Sequence, residues 1–142
     1  MQRSFTDVSA KSLRVSIARS AAQAYEFLSV PENFPKWASG LGTSVRQAGA
    51  DWIADTAEGP ATVCLTERNS HGVLDHSVTR PNGPTLYVPL RVVANGDGCD
   101  LVLTLFRRPD MSDEKFAIAA ERVMRDLLAA KRLLEMQALF HD

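Results

Sequence analysis

GVLDHSVTRPNGPTLYVPLRVVANGDGCDLVLTLFRR, residues 72–108, contains three apolar runs separated by two turn signals. Asn82-Gly83 divides GVLDHSVT from TLYVPLRVVA, and Gly96-Asp97 divides that run from CDLVLTLFR. Pairs of this type between alternating apolar runs favour tight antiparallel hairpins, because they tolerate the positive φ such turns need. The stretch therefore predicts three consecutive antiparallel strands.

Upstream, the same punctuation continues. SVRQA and DWIADT flank Gly49, PATVCLTER follows AEGP, and NSHG leads into GVLDHSVT. The result is a meander of about six strands. Leu13, Val15 and Ile17 alternate with Arg14 and Ser16, the period of a half-buried strand, and make it seven. Between this first strand and the meander, Ser20 and Gln23 have the spacing of a capping box. They open a helix with Ala24, Phe27 and Leu28 on one face, and Pro31 disfavours its continuation past Val30. PENFPKWASGLG then reads as a second short helix with Phe34, Trp37 and Leu41 inward.

Downstream, Pro109 ends the last strand. Ser112 caps a helix whose first turn carries Asp113 and Glu114 against the positive end of its dipole. The helix can run to Phe140, about 40 Å at 1.5 Å per residue. Phe116, Ala120, Val123, Leu127, Ala130 and Leu134 form one apolar stripe along it. Residues 1–11 are polar and read as a lead-in.

The whole chain, 1–142, has the length of one domain. With 45% apolar and 23% charged residues it belongs to the globular class. A formal net charge of -1 offers no basic field for nucleic acid or anionic lipid. Cys64 and Cys99 are too few for a disulfide framework, and no His/Cys cluster has metal spacing. No apolar run reaches the roughly 20 residues of a membrane span, and no signal peptide is evident. These features predict a cytoplasmic protein with no cofactor, no metal, no nucleic-acid partner and no membrane partner.

The order of elements is strand, two helices, six strands, long helix. The apolar stripe of the last helix needs a partner of similar length, and the sheet is the one available. The expected fold is therefore α+β: a seven-stranded, strongly bent antiparallel sheet around the C-terminal helix. A cavity remains at the open end, under a lid made of the two short helices. Symmetric pairing about Glu58-Gly59, Ser70-His71, Asn82-Gly83 and Gly96-Asp97 assigns the faces. Trp52, Ala54, Val63, Leu65, Leu74, His76, Val78, Tyr87, Pro89, Arg91, Val102, Thr104 and Phe106 fall on the concave wall. Asp75 falls on the convex one, together with a patch of Leu86, Val88, Leu90, Leu101, Leu103 and Leu105. Either a bulge flips the register before that patch, or the patch is an interaction surface that makes a homodimer.

These motifs resemble the START-like, helix-grip (SRPBCC) superfamily, which includes Bet v 1-type proteins and the polyketide cyclase/dehydrase group. PENFPKWA, GVLDH, VVANGDG and LTLFRRPDMSDEKF carry the resemblance, which runs from about Leu13 to Glu135. It implies the helix-grip fold and, among the functions that fold hosts, ligand carriage or cyclase/dehydratase chemistry. No catalytic signature of the family transfers residue by residue.

The expected ligand-binding residues are Trp37, Trp52, Leu65, His76, Tyr87, Arg91, Thr104, Phe106, Val123 and Leu127. Binding of a small, largely apolar molecule without chemistry is the first functional reading. The second is a cyclase- or dehydratase-like enzyme for an aromatic or polyketide-like substrate. His76 is then the candidate catalytic residue, moving a proton while Arg91 and Tyr87 hold an enolate. The plainer roles are a histidine hydrogen-bonded between strands, an arginine paired with Glu67 or an acid on the long helix, and a tyrosine at the rim. His71 and His141 are expected to be solvated. A dimeric interaction protein is the third reading.

Overall fold

The computed structural model describes residues 9–42 and 44–140. The expectations for the first eight residues, for the Leu41 side chain and for His141 lie outside what is described. The elements follow the expected order. Strand β1 spans Ala10–Ile17, helix α1 Ala21–Leu28 and helix α2 Phe34–Trp37, the last flanked by single 3-10 turns. Strands follow at β2 Val45–Ala48, β3 Asp51–Thr56, β4 Gly59–Leu65, β5 His76–Thr79, β6 Thr85–Val88, β7 Leu90–Asn95 and β8 Gly98–Phe106. Helix α3 spans Asp113–Phe140.

Local chemistry accounts for the helix ends. The Ser20 hydroxyl accepts from Gln23 N and the Gln23 side chain accepts from Ser20 N, both at 3.1 Å, completing the capping box of α1. Ser112 Oγ accepts from Lys115 N at 3.1 Å and starts α3. Phe116, Ala120, Leu127, Ala130 and Leu134 of its stripe are buried. The C-terminal half of α3 is tied to the end of β1. Lys131 Nζ donates to Ser16 O at 2.6 Å, and Glu135 accepts from Ala18 N at 2.9 Å. Lys131 and Glu135 are themselves paired, which holds the Glu135 carboxyl below its ordinary pKa.

The strands form two ladders, β1-β8-β7 and β2-β3-β4-β5-β6. Residues 72–74 join them, pairing with β7 through Val92 N to Gly72 O at 2.9 Å and Leu74 N to Leu90 O at 2.8 Å. Val73 faces Arg91 in the same register that sets His76 opposite Val88. The expected sixth strand, TLYVPLRVVA, is therefore one bent strand, cut into β6 and β7 at Pro89. Proline has no N–H for the ladder, so the strand kinks where it stands.

One loop changes the face assignment. The β7–β8 register about Gly96-Asp97 and the Leu65–His76 pair are as expected. Trp52 faces Val63 rather than Leu65, a two-residue shift that keeps every side chain on its face. Across β5–β6, however, Ser77 faces Tyr87 and Val78 faces Leu86, a one-residue shift. A two-residue hairpin on Asn82-Gly83 would make Pro81 and Pro84 its closing hydrogen-bonded pair, and neither has an N–H. The chain instead makes a five-residue loop between Thr79 and Thr85. Gly83 N donates to Arg80 O at 3.2 Å, and Asn82 takes the positive φ of 57° at the third turn position.

From β6 onward the alternation is thus opposite to that expected. Leu90, Leu101 and Leu103 are buried in the core, while Leu86, Val88 and Leu105 are half-buried on the same side. The convex leucine patch and the homodimer drawn from it are not supported by this geometry. Tyr87, Pro89, Arg91, Val102, Thr104 and Phe106 move to the outer face. The flip comes from the odd-length loop, with no bulge inserted in a ladder.

Candidate functional site

The register shift divides the expected site residues into two groups. Trp37, Trp52, Leu65, His76, Val123 and Leu127 lie on the core side, with Trp37, His76 and Leu127 buried and the others packed around them. Tyr87, Arg91, Thr104 and Phe106 lie outside, and Tyr87 is 55% exposed. They line no chamber with His76.

The outer group is organised by Asp75, which sits opposite Pro89 in the kink. Its carboxylate accepts from four donors. Tyr87 OH reaches Oδ2 at 3.0 Å and Leu90 N reaches Oδ1 at 2.9 Å. Arg91 binds both oxygens, Nε to Oδ1 at 3.1 Å and a terminal nitrogen to Oδ2 at 2.7 Å. This two-pronged arginine contact, helped by the bonds from Leu90 N and Tyr87, holds the Asp75 carboxyl down at about 2 against the cost of burial. The same carboxylate raises the Tyr87 hydroxyl and the Arg91 guanidinium above their ordinary values. Arg91 is therefore ion-paired as the plainer reading held, with Asp75 as its partner rather than Glu67 or an acid of α3.

Asp75 and His76 together repair a ladder bond lost at the kink. Leu74 and Leu90 face each other, and Leu74 N donates to Leu90 O. The return bond is not made. Leu90 N goes to the Asp75 carboxylate at 2.9 Å, and Leu74 O is met by His76 Nδ1 at 3.0 Å. Two neighbouring side chains on opposite faces thus satisfy the backbone groups that Pro89 separates. A carbonyl oxygen only accepts, so Nδ1 carries the proton and Nε2 keeps its lone pair in the neutral ring. Burial pushes the His76 pKa down and favours that neutral ring.

Inside, His76 lies 5.9 Å from Phe34 between ring centroids, and Phe34 stands edge-on to Trp37 at 5.9 Å. The first two belong to the sheet and the lid respectively, so the aromatic trio spans the gap between them. A cavity of about 90 Å³ opens beside it, lined by Tyr25, Phe34, Leu65 and Leu74 with Thr66 and Arg68 toward solvent. Ser39, just after α2, donates to Asp126 of α3 at 2.7 Å and ties the lid to the long helix. Burial raises the Asp126 carboxyl despite this bond. A depression of about 450 Å³ between α1 and residues 68–72 is larger but open to solvent. Among the described residues no group of three or more His, Cys, Asp or Glu is placed to hold a metal. None of the described helices is long and apolar enough to cross a membrane.

Sequence reasoning missed Asp75 as the hub of the outer cluster. The available signals were Pro89, which forces a broken ladder, and the paired Pro81 and Pro84, which forbid the tight turn.

An antiparallel sheet bent around a long C-terminal helix, with a small two-helix lid and an aromatic-lined interior, defines a helix-grip, START-like protein. The chain belongs to the family described as polyketide cyclase / dehydrase and lipid transport, which matches residues 8–135. A START superfamily protein from Mycobacterium smegmatis has the same fold, with a TM-score of 0.71 at 14% identity over 90% of this chain and 98% of that one. The Aha1 dimer from Colwellia psychrerythraea is similar, at 0.71 and 15% over 89% and 96%. So is Ara h 8.0201, at 0.67 and 11% over 90% and 98%. No curated protein matches the sequence.

Proposed function

We propose that this protein binds a small, largely apolar molecule between the sheet and α3 and performs no chemistry on it. The observation that carries this reading is the division of polar groups. Arg91 and Tyr87, the only partners expected to assist His76, end on Asp75 outside. The interior is left with mainly aromatic and aliphatic walls, with the His76 imidazole and the Tyr25 phenol, whose oxygen accepts from Asn69 N, as its titratable rings among the described residues, which suits recognition by shape and burial. The family's description, which includes lipid transport, supports the same reading.

The cavity of about 90 Å³ is smaller than the roughly 300–1,000 Å³ that encloses a drug-sized ligand. Its wall is made by α1, Phe34 and residues 65–74 with no residue of α3, so loading between the sheet and α3 requires Phe34 and the lid to lift away from the sheet. Naphthalene, as an apolar probe at a concentration well above its dissociation constant, should raise Tm and slow amide exchange in residues 31–41. An unchanged Tm and unchanged exchange up to the solubility limit of naphthalene would count against the proposal.

A further inference from the structure

The cavity of about 90 Å³ beside Phe34 is apolar at one end and rich in donors at the other. Tyr25, Phe34, Leu65 and Leu74 make the apolar wall, and Ser29, Thr66 and Arg68 make the polar one. Arg68 is the only charged side chain among the described residues that line it. Two other lining residues hold the guanidinium there. It lies 5.3 Å from the centre of the Tyr25 ring, and one terminal nitrogen donates to Ser29 Oγ at 3.1 Å.

The hydrogen bonds of this wall are one-sided. The Thr66 hydroxyl donates to Asp75 O at 2.5 Å and the Ser29 hydroxyl to Glu26 O at 3.4 Å, so both hydrogens are committed to backbone carbonyls. Arg68 carries five N–H donors. Among the described residues its terminal nitrogens reach Ser29 and the Glu26 carboxylate, and its Nε–H has no partner. The Tyr25 oxygen accepts from Asn69 N at 2.9 Å, while its own hydrogen has no acceptor among the described residues. The hydrogens left over belong to a cation and a phenol. Their complement is a group that accepts without donating and carries negative charge, and the planar fork of arginine matches a carboxylate.

The anion that now holds Arg68 is loosely placed. The Arg68 and Glu26 side chains are 58% and 65% exposed, and Glu26 does not line the cavity. Exposed ion pairs contribute little to stability, so a ligand carboxylate can replace that of Glu26 at small cost. Seated at Arg68, the carboxylate stays at the solvent-facing mouth with a counter-charge beside it, which avoids the penalty of burying a bare ion.

We infer that this cavity takes the head group of an amphipathic monocarboxylate. Arg68 holds the carboxylate at the mouth in exchange for Glu26, and the apolar body of the ligand points inward, where Phe34 now stands. This rests on the binding reading given above and names the ligand class for it.

The test uses the full chain and three probes that share one ring system: 2-naphthoate, its neutral amide 2-naphthamide, and naphthalene. Calorimetry at low ionic strength should find 2-naphthoate bound about tenfold tighter than 2-naphthamide, the scale of one charge-assisted hydrogen bond. In a ¹H–¹⁵N spectrum the Arg68 Nε–H resonance, assigned by its loss in Arg68→Gln, should shift with 2-naphthoate and stay in place with naphthalene. Arg68→Gln removes the charge, and the preference for 2-naphthoate over the amide should fall to within about twofold. Glu26→Gln removes the competing carboxylate, and 2-naphthoate should bind about threefold tighter.

If 2-naphthamide binds as well as 2-naphthoate, if the Arg68 resonance does not respond, or if Arg68→Gln keeps the preference, the carboxylate inference is overturned and apolar binding stands. Unchanged or weaker binding of 2-naphthoate to Glu26→Gln would overturn the exchange with Glu26. If none of the three probes binds, the binding reading itself fails. The probe series and the Arg68 resonance read the wild-type protein, so the conclusion does not depend on the folding of either variant.

Discussion

Replacing Asp75 by asparagine tests the kink directly. The substitution keeps the shape and one acceptor oxygen, so Leu90 N can still be met, but removes the charge that holds both prongs of Arg91. The wild-type carboxyl titrates at about 2, against an ordinary 3.8. A difference of that size corresponds to about 2.5 kcal/mol before screening. The Arg91 side chain is 53% exposed, so solvent weakens its pull, and about 1–2 kcal/mol is the expected loss at neutral pH. Because the folded-state pKa lies below the unfolded one, this stabilisation is complete above about pH 4. It disappears as the pH falls from about 4 to about 2, where the folded carboxylate also takes up a proton. Urea unfolding of wild type and Asp75→Asn at a series of pH values between 7 and 2 measures it. The gap between the two proteins should be widest near pH 7 and close toward pH 2. A gap under about 0.5 kcal/mol at pH 7, or one that does not change with pH, would refute the account of Asp75 as a charge-paired brace.

Other expectations follow from the same geometry. Burial lowers the folded-state pKa of His76, so the unfolded chain binds a proton first and stability should fall as the pH drops below about 6.5. His76→Leu should flatten that part of the stability–pH curve, and an unaltered slope would show that His76 is not held neutral. Leu127 is fully buried while Leu128 is 42% exposed. Leu127→Ala should cost about 2–5 kcal/mol and Leu128→Ala under about 1 in chemical denaturation, and equal losses would contradict the seating of α3. Gly72 has φ 72°, and a Cβ there would stand 2.3 Å from Val92 O. Gly72→Ala should therefore lower Tm by several degrees through the strand junction, and a neutral result would mean that the backbone there can relax. Asp126→Ala removes the lid's bond to α3. It should speed amide exchange in residues 34–41 while leaving β8 protected, and uniform change across the chain would argue against a local lid.

Element order, both helix caps and the full extent of the long helix are legible in the sequence because they depend on local chemistry. Ser20 and Gln23 cap within one turn, Ser112 meets Lys115 within one turn, and the 3.6-residue stripe from Phe116 to Leu134 needs no knowledge of what it packs against. The inner residues before the β5–β6 loop, Trp37, Leu65 and His76 among them, were legible for the same reason. The residues after it were not. A strand's faces alternate every residue, so one residue more or less in a single loop turns every later side chain over. Arg91 and Tyr87 were placed beside His76 by the sequence pattern, and they stand outside it because Pro81 and Pro84 cannot close a two-residue turn.

The sequence alone thus determined that a bent antiparallel sheet meets a long amphipathic helix, since periodicity and turn chemistry are properties of neighbours along the chain. Tertiary structure alone decided which polar groups share the interior. That outcome depends on the loop between Thr79 and Thr85, on the kink at Pro89, and on the exchange by which Asp75 and His76 take over the bonds of Leu90 N and Leu74 O. The bond from Leu90 N to Asp75 spans 15 residues, and although the His76–Leu74 and Gly83–Arg80 bonds are local, their geometry is fixed only once the strands are paired.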